Sequence, residues 1–192
     1  MKLLHIDSSI LGDQSVSREL TGAIVARWRA SVPGLEVVTH DLARDPLPHL
    51  SGATLAGQDE IEASRGEAAL REFLDADVIV IGAPMYNFSI PSSLKAWIDR
   101  IAVRGRTFRY TETGPEGLAG GKRVIVVASA GGVHAGQPTD FVEPYLRHMF
   151  AFLGVEAVEF IRADGIGLSP EHRAAAIERA HGALPEPLRR AA

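Results

Sequence analysis

The sequence predicts a three-layer α/β sandwich around a five-stranded parallel sheet, and three observations carry that expectation. Short β-rich runs alternate with amphipathic helical stretches, the pattern of parallel strands joined by crossover helices. Two of the runs, Asp77–Gly82 (DVIVIG) and Lys122–Ala128 (KRVIVVA), are almost wholly apolar, as central strands covered on both faces must be. The chain has 192 residues, 46% of them hydrophobic and 23% charged, the size and balance of one globular domain spanning 1–192.

Lys2–Asp7 (KLLHID) reads as the first strand, Leu35–Asp41 (LEVVTHD) as the second and Val155–Ile161 (VEAVEFI) as the fifth. Between the first two, Ser17–Ser31 places Leu20, Ala23, Ile24 and Trp28 on one helical face. Residues 57–75 form a more exposed helix. After the third strand, Leu94, Trp97, Ile98 and Ile101 repeat the helical pattern behind Pro91, a residue suited to a first turn. Residues 170–190 close the chain with a helix that is alanine-rich from Arg173.

The helix expected over 139–153 stands apart. Phe141, Tyr145, Met149 and Phe152 form one stripe, and Val142, Leu146, Phe150 and Leu153 widen it beyond the ~100° arc a surface helix needs. It reads either as a well-buried core helix or as one whose surplus arc covers a subunit interface.

Composition excludes several functions. Without cysteine there is no disulfide, no Cys-ligated zinc, no iron–sulfur cluster and no thiol nucleophile. A net charge of −4 exerts no global pull toward nucleic acid or an anionic membrane. No apolar run reaches the ~18 residues of a membrane span, and the N-terminus turns polar after Ile6, so a cytoplasmic protein is expected. His148, His172 and His181 lack metal-ligand spacing, and no G-x-S-x-G elbow is present. Gly117–Lys122 (GLAGGK) only approaches a phosphate loop, because Arg123 replaces the Ser or Thr and the segment precedes a strand.

In an open parallel sheet, ligands bind beyond the carboxyl ends of the strands. The loop after strand one holds Ser8, Ser9, Gly12, Ser15 and Ser17 and ends at a helix N-terminus, an anion cradle of hydroxyls and free N–H groups. Without a lysine it suits a monophosphate; read alone, an N-cap at Ser15 or Ser17 explains it. The loop Ala83–Pro91 after strand three is apolar and aromatic, fit for a flat heteroaromatic ring, and contains the chain's one asparagine, Asn87. Ser129–Gly136 follows strand four, and its Gly131-Gly132 pair lets backbone approach a ligand edge. His134 lies in the same loop. Each loop alone has a bland reading. Together they offer phosphate, ring-face and ring-edge contacts, the set that flavin mononucleotide (FMN) requires.

With these residues the chain resembles the FMN-dependent NADH:azoreductase and NAD(P)H:quinone oxidoreductase family, a flavodoxin-like group. The resemblance rests on Asp7–Gly12, Ser15–Ser17, Ala83–Phe88 (APMYNF), Thr107–Glu112 (TFRYTE), Gly114–Leu118 (GPEGL) and Pro138–Asp140 (PTD), which span most of the chain. It implies a flavodoxin-like sandwich and a homodimer with two FMN sites at its interface. It also implies that Ser9, Ser15, Val16 and Ser17 hold the phosphate. Pro84, Met85, Tyr86, Asn87, Phe88, Ser129, Ala130, Gly131 and Gly132 would hold the ring system. Asn87, Phe88, Tyr110 and, from the partner subunit, Phe152 would line the substrate pocket. The absence of G-x-G-x-x-G makes NADH a transient co-substrate, and the chemistry expected is ping-pong two-electron reduction of quinones and azo compounds through FMN. No side chain is assigned as catalytic and no metal is expected.

Two departures bear on substrate range: Ala130 stands where many relatives carry arginine, and the stretch from His49 to Glu67 is shorter than the family's. The competing expectation is a flavodoxin-type electron carrier that binds FMN without oxidising NADH, which the mixed-sign charge fits poorly.

Overall fold

A computed structural model of the protein describes residues 1–187. Five parallel strands form the sheet: β1 (Lys2–Asp7), β2 (Glu36–Asp41), β3 (Val78–Pro84), β6 (Arg123–Ala130) and β7 (Ala157–Asp164), in the spatial order β2-β1-β3-β6-β7. All four neighbouring pairs are parallel. The expected three-layer sandwich is therefore the observed one. Strand order reverses between β1 and β3, which is the switch point where such sheets bind ligands. Every residue of β3 is buried, and so is all of β6 after Arg123, as their apolar runs require.

Alternation along the strands feeds two cores. Leu4, Ile6, Ile79 and Ile81 pack under α3 (Glu60–Asp75), α4 (Ser92–Ile101) and α5 (Glu143–Phe152). Leu3, Val78 and Val80 pack under α1 (Val16–Ser31), beside Ala180 of α6 (Pro170–Gly182). By the same two-residue period His5 and Asp7 face α1, where the Thr21 hydroxyl donates to Asp7 Oδ1 at 2.9 Å. A short helix, α2 (Gly52–Leu55), precedes α3.

Boundaries move from the expected ones for identifiable reasons. β3 and β6 each run two residues further, because Ala83↔Ala128 and Pro84↔Ser129 continue the pairing into the candidate loops. The fifth strand begins at Ala157 rather than Val155, after a turn through Gly154 at φ +90°. Asp59 caps α3 by accepting the Glu62 N–H at 2.9 Å, so that helix starts at residue 60 rather than 57. Asp140 accepts the N–H groups of Val142 and Glu143, which delays α5 to residue 143. The last helix stops at Gly182, ahead of Pro185 and Pro187, which cannot continue it; residues 188–190 of the expected helix lie outside the described residues.

Besides α2 and a short 3-10 turn at Gly12–Gln14, a hairpin went unpredicted. β4 (Phe108–Thr111) and β5 (Gly114–Gly117) form an antiparallel hairpin outside the main sheet. Gly117 needs to be glycine: a Cβ there would lie within 2.0 Å of Gly154 N, so the hairpin docks backbone to backbone on the turn after α5. No helix among the described residues is long and apolar enough to cross a membrane.

Candidate functional site

The register Asp7↔Gly82 and Pro84↔Ser129 sets the carboxyl ends of β1, β3 and β6 side by side, so the three candidate loops leave the sheet together. The first loop turns through a 3-10 segment at Gly12–Gln14, with Gly12 at φ +53°, and enters α1. Ser15 is the N-cap; its Oγ accepts the Arg18 N–H at 3.3 Å and lies 3.1 Å from Ser17 Oγ. The first-turn N–H groups of Val16 and Ser17 have no partner within the helix. The Val16 side chain belongs to the core, so the backbone is what this residue can offer a ligand. Ser8 is drawn out of the cradle, donating its hydroxyl to the Gly82 carbonyl at 2.6 Å.

The second loop is held at both ends. Met85 donates its N–H to the Ser129 carbonyl at 2.8 Å, and Tyr86 and Ser89 exchange backbone hydrogen bonds at 2.9 and 3.1 Å. Asn87 and Phe88 form the tip of this tight turn at φ +49° and +70°, the only non-glycine residues at positive φ among those described. Asparagine tolerates that conformation; a bulky phenylalanine is strained in it by roughly 1–3 kcal/mol. Neither the Asn87 nor the Phe88 N–H finds an acceptor among the described residues. Tyr86 OH meets Ser9 Oγ at 3.2 Å and accepts the Ile10 N–H at 3.1 Å, joining this loop to the first. Beside the second loop, toward Leu42, Pro46 and the start of α4, opens a cavity of about 690 Å³ lined also by Met85, Tyr86 and Asn87, which meets the first loop at Ile10 and does not include the cradle serines. That is the volume range of small-molecule sites.

The third loop is fastened by its carbonyls. Those of Ala130, Gly131 and Gly132 accept from Ile166, Gly167 and Gly165, and the Gly132 N–H is left without an acceptor among the described residues. Asp164, at the end of β7, accepts the N–H groups of His134 and Ala135 at 2.9 and 2.8 Å and so positions the far side of the loop. The His134 ring packs edge to face against Phe88 at 5.8 Å and its Nδ1 lies 2.9 Å from Thr139 Oγ1. A Cβ on Gly132 would come within 2.9 Å of His134 Nε2, so a side chain there would displace the imidazole from its place against Phe88.

The loops bring together Ser9, Ser15, Val16, Ser17, Pro84–Phe88 and Ser129–Gly132. Tyr110 and Phe152 gather elsewhere, around Phe108 on the hairpin, with ring centroids 5.5 and 4.5 Å from it. The α5 stripe divides into a buried and a partly exposed half, the latter packed along the edge of the core. Val142, Leu146, Phe150 and Leu153 are buried, whereas Tyr145, Met149 and Phe152 are half-buried and Phe141 is 57% exposed. Sequence reasoning missed Leu42 and Pro46 as cavity walls, and Asp164, whose place at a strand's carboxyl end was the available signal. A second cavity, of about 670 Å³, opens at the opposite end of the strands, where Arg123 is already paired with Glu159 at 2.6 Å.

This strand order, with three loops converging beside its switch point, defines a doubly wound α/β protein of the mononucleotide-binding kind. The chain belongs to the flavodoxin-like fold family, whose model matches residues 1–186. It is 59% identical over 185 residues to a protein of Stenotrophomonas maltophilia (strain K279a) named FMN-dependent NADH:quinone oxidoreductase, with 96% of this chain and 95% of that one covered. Among solved structures it is similar to the azoreductase from Bacillus anthracis str. Sterne, with TM-score 0.81, 30% identity and coverage of 95% and 97%. It is also similar to the FMN-dependent NADH-azoreductase from Bacillus anthracis str. Ames Ancestor in complex with FMN, with TM-score 0.86, 26% identity and coverage of 96% and 98%.

Proposed function

We propose that this chain is an FMN-dependent NADH:quinone oxidoreductase that also reduces azo compounds, working as a single domain over 1–192 in a cytoplasmic homodimer. The observation that carries the reading is the Asn87–Phe88 turn, a strained backbone held at the switch point with two free amides. The residues present fit FMN. Ser15, Ser17 and the first-turn amides of α1 suit a phosphate without a lysine or magnesium, and Ser9 closes the cradle from the β1 side. The amides of Asn87, Phe88 and Gly132 suit the polar edge of a flat ring, and Met85 and Tyr86 give it an apolar wall. Pro84, Ser129 and Ala130, buried at the base, set the separation of the two ring-contacting loops.

FMN, when bound, supplies the redox step, taking a hydride from NADH and then reducing the acceptor in ping-pong order. The chain's part is to bind and orient. Donors fixed at Asn87, Phe88 and Gly132 stabilise negative charge that develops on the ring edge, without reorganising during the reaction. Phe88, 52% exposed, and Asn87 would border the pocket in which NADH and a quinone bind in turn. Tyr110, 63% exposed, and, from the partner subunit, Phe152 would complete that pocket. Protons come from water, and no acid–base pair is required of the protein.

The deciding experiment is the visible spectrum of the full chain reconstituted with FMN and mixed anaerobically with NADH. Flavin bands that bleach with NADH and return on adding a quinone are expected. Bound flavin that NADH leaves oxidised would make the protein an electron carrier, and failure to bind flavin would overturn the reading.

A further inference from the structure

Behind the first loop sits a cation that this chemistry leaves unexplained. Arg18, in the first turn of α1, folds back beneath the loop. Its Nε and Nη2 both donate to the Ser9 carbonyl, at 3.1 and 2.7 Å. Nη1 and Nη2 donate to the two oxygens of Asp41 at 2.8 and 2.6 Å, and Nη1 lies 3.7 Å from Asp7 Oδ2. One guanidinium therefore ties the end of β1, the end of β2 and the loop's first turn. A Cβ built on Gly82 would lie 2.9 Å from Asp7 Oδ1 and 3.5 Å from Ser17 Oγ, so a buried carboxylate is a neighbour of the cradle's own hydroxyl. His5 Nε2 lies 3.4 Å from Asp7 Oδ2 and Arg44 Nε reaches Asp41 Oδ2 at 3.4 Å from the exposed side, while Arg18 stands between the two carboxylates and pairs with both. A dianion arriving at the cradle meets repulsion from Asp7 and Asp41 that Arg18, paired with both, offsets in a setting that water screens poorly.

We propose that Arg18 is the positioning residue of the phosphate cradle: it fixes the Ser9 carbonyl and offsets the charge of Asp7 and Asp41, so that the chain prefers a flavin bearing a phosphate monoester over the same ring without one. The proposal rests on the FMN reading above. It concerns discrimination between ligands, which a residue needed only for folding would leave unchanged. The hydrogen bond from Arg18 is the first cause that lowers the pKa of Asp41 and favours its charged form.

The test compares FMN with riboflavin, which has the ring and no phosphate, by fluorescence titration of the flavin-stripped full chain. Arg18→Gln is expected to weaken FMN roughly tenfold, about the worth of one charge-assisted hydrogen bond, and to leave riboflavin unchanged. Adding Asp41→Asn should recover part of that loss, since the amide oxygen still accepts from Ala43 and Arg44 while the charge is gone. If Arg18→Gln does not fold, Arg18→Lys keeps the charge without the fork and is expected to give a smaller fall in the FMN-to-riboflavin ratio. An unchanged ratio in the variants, or equal weakening of both ligands, overturns the proposal and leaves the FMN site standing. A parent chain that binds neither flavin overturns both.

Discussion

The hydroxyl of Tyr86 stands 3.2 Å from Ser9 Oγ and accepts the backbone N–H of Ile10 at 3.1 Å, so one side chain from the β3 end holds the shape of the loop after β1. Tyr86→Phe removes both contacts and keeps the ring. A typical hydrogen bond of this kind contributes about 1 kcal/mol, so FMN affinity is expected to fall about fivefold while the thermal midpoint barely moves. Isothermal titration with FMN checks it. Unchanged affinity would mean that the loop holds its shape without Tyr86.

The second loop makes a sharper case, because strain and function are assigned to the same residues. Asn87→Ala puts a Cβ-bearing residue with no polar side chain at φ +49° and is expected to cost ~1 kcal/mol of stability. Asn87→Gly permits that φ freely and should restore the stability. Loss of the side chain is common to both, so both variants should bind FMN and both should alter turnover with quinones. The measurements are thermal unfolding and steady-state kinetics on at least two acceptors. Turnover unchanged on every acceptor in both variants would leave Asn87 a turn residue only.

These loops also show what the sequence could and could not reveal. The apolar runs at 78–84 and 123–130 need cover on two faces, and that alone makes them central strands with functional loops at their ends. The positive φ of Phe88 is invisible, since nothing about phenylalanine asks for it; the neighbouring Tyr86–Ser89 pairing imposes it. The β4–β5 hairpin is hidden because Gly114, Pro115 and Gly117 argue against a strand, and its reason is the close backbone approach at Gly154. Arg18 reads as an ordinary helix residue until the fold carries Asp41 to it from 23 positions away. Long-range charge pairing leaves no local pattern.

The apolar stripe on α5 bears on assembly. Phe141 is 57% exposed, and Tyr145, Met149 and Phe152 continue from it as half-buried neighbours along one face. In the homodimer proposed above, this is the face on which the partner subunit would dock. Phe141→Glu places a charge in its path and is expected to shift the chain from dimer toward monomer in sedimentation velocity, with the fold intact. FMN occupancy should fall with it if the partner completes the site. A parent chain that sediments as a monomer would refute the homodimer.

Tyr145, on the same stripe, gives a prediction with a definite sign. Its hydroxyl is buried and finds no hydrogen-bond partner among the described residues. Burial first, and the nearby Asp99 carboxylate second, push its pKa up to about 12, against about 10 for an unperturbed tyrosine. The native state therefore holds a proton that the unfolded chain releases earlier. This contribution is complete below pH ~10 and is lost as pH rises through about 12, because the unfolded state gains stability by ionising first. Tyr145→Phe removes the ionisation, so the variant's stability should fall less steeply than the parent's over that interval. At neutral pH the change is expected to be neutral or to stabilise by up to about 1 kcal/mol, since an unpaired buried hydroxyl is lost. Urea unfolding of both chains at pH 7, 10 and 11.5 provides the comparison. A variant less stable than the parent at pH 7 would show that the hydroxyl has a partner after all, and equal alkaline slopes would show that it ionises as freely in the folded chain as in the unfolded one.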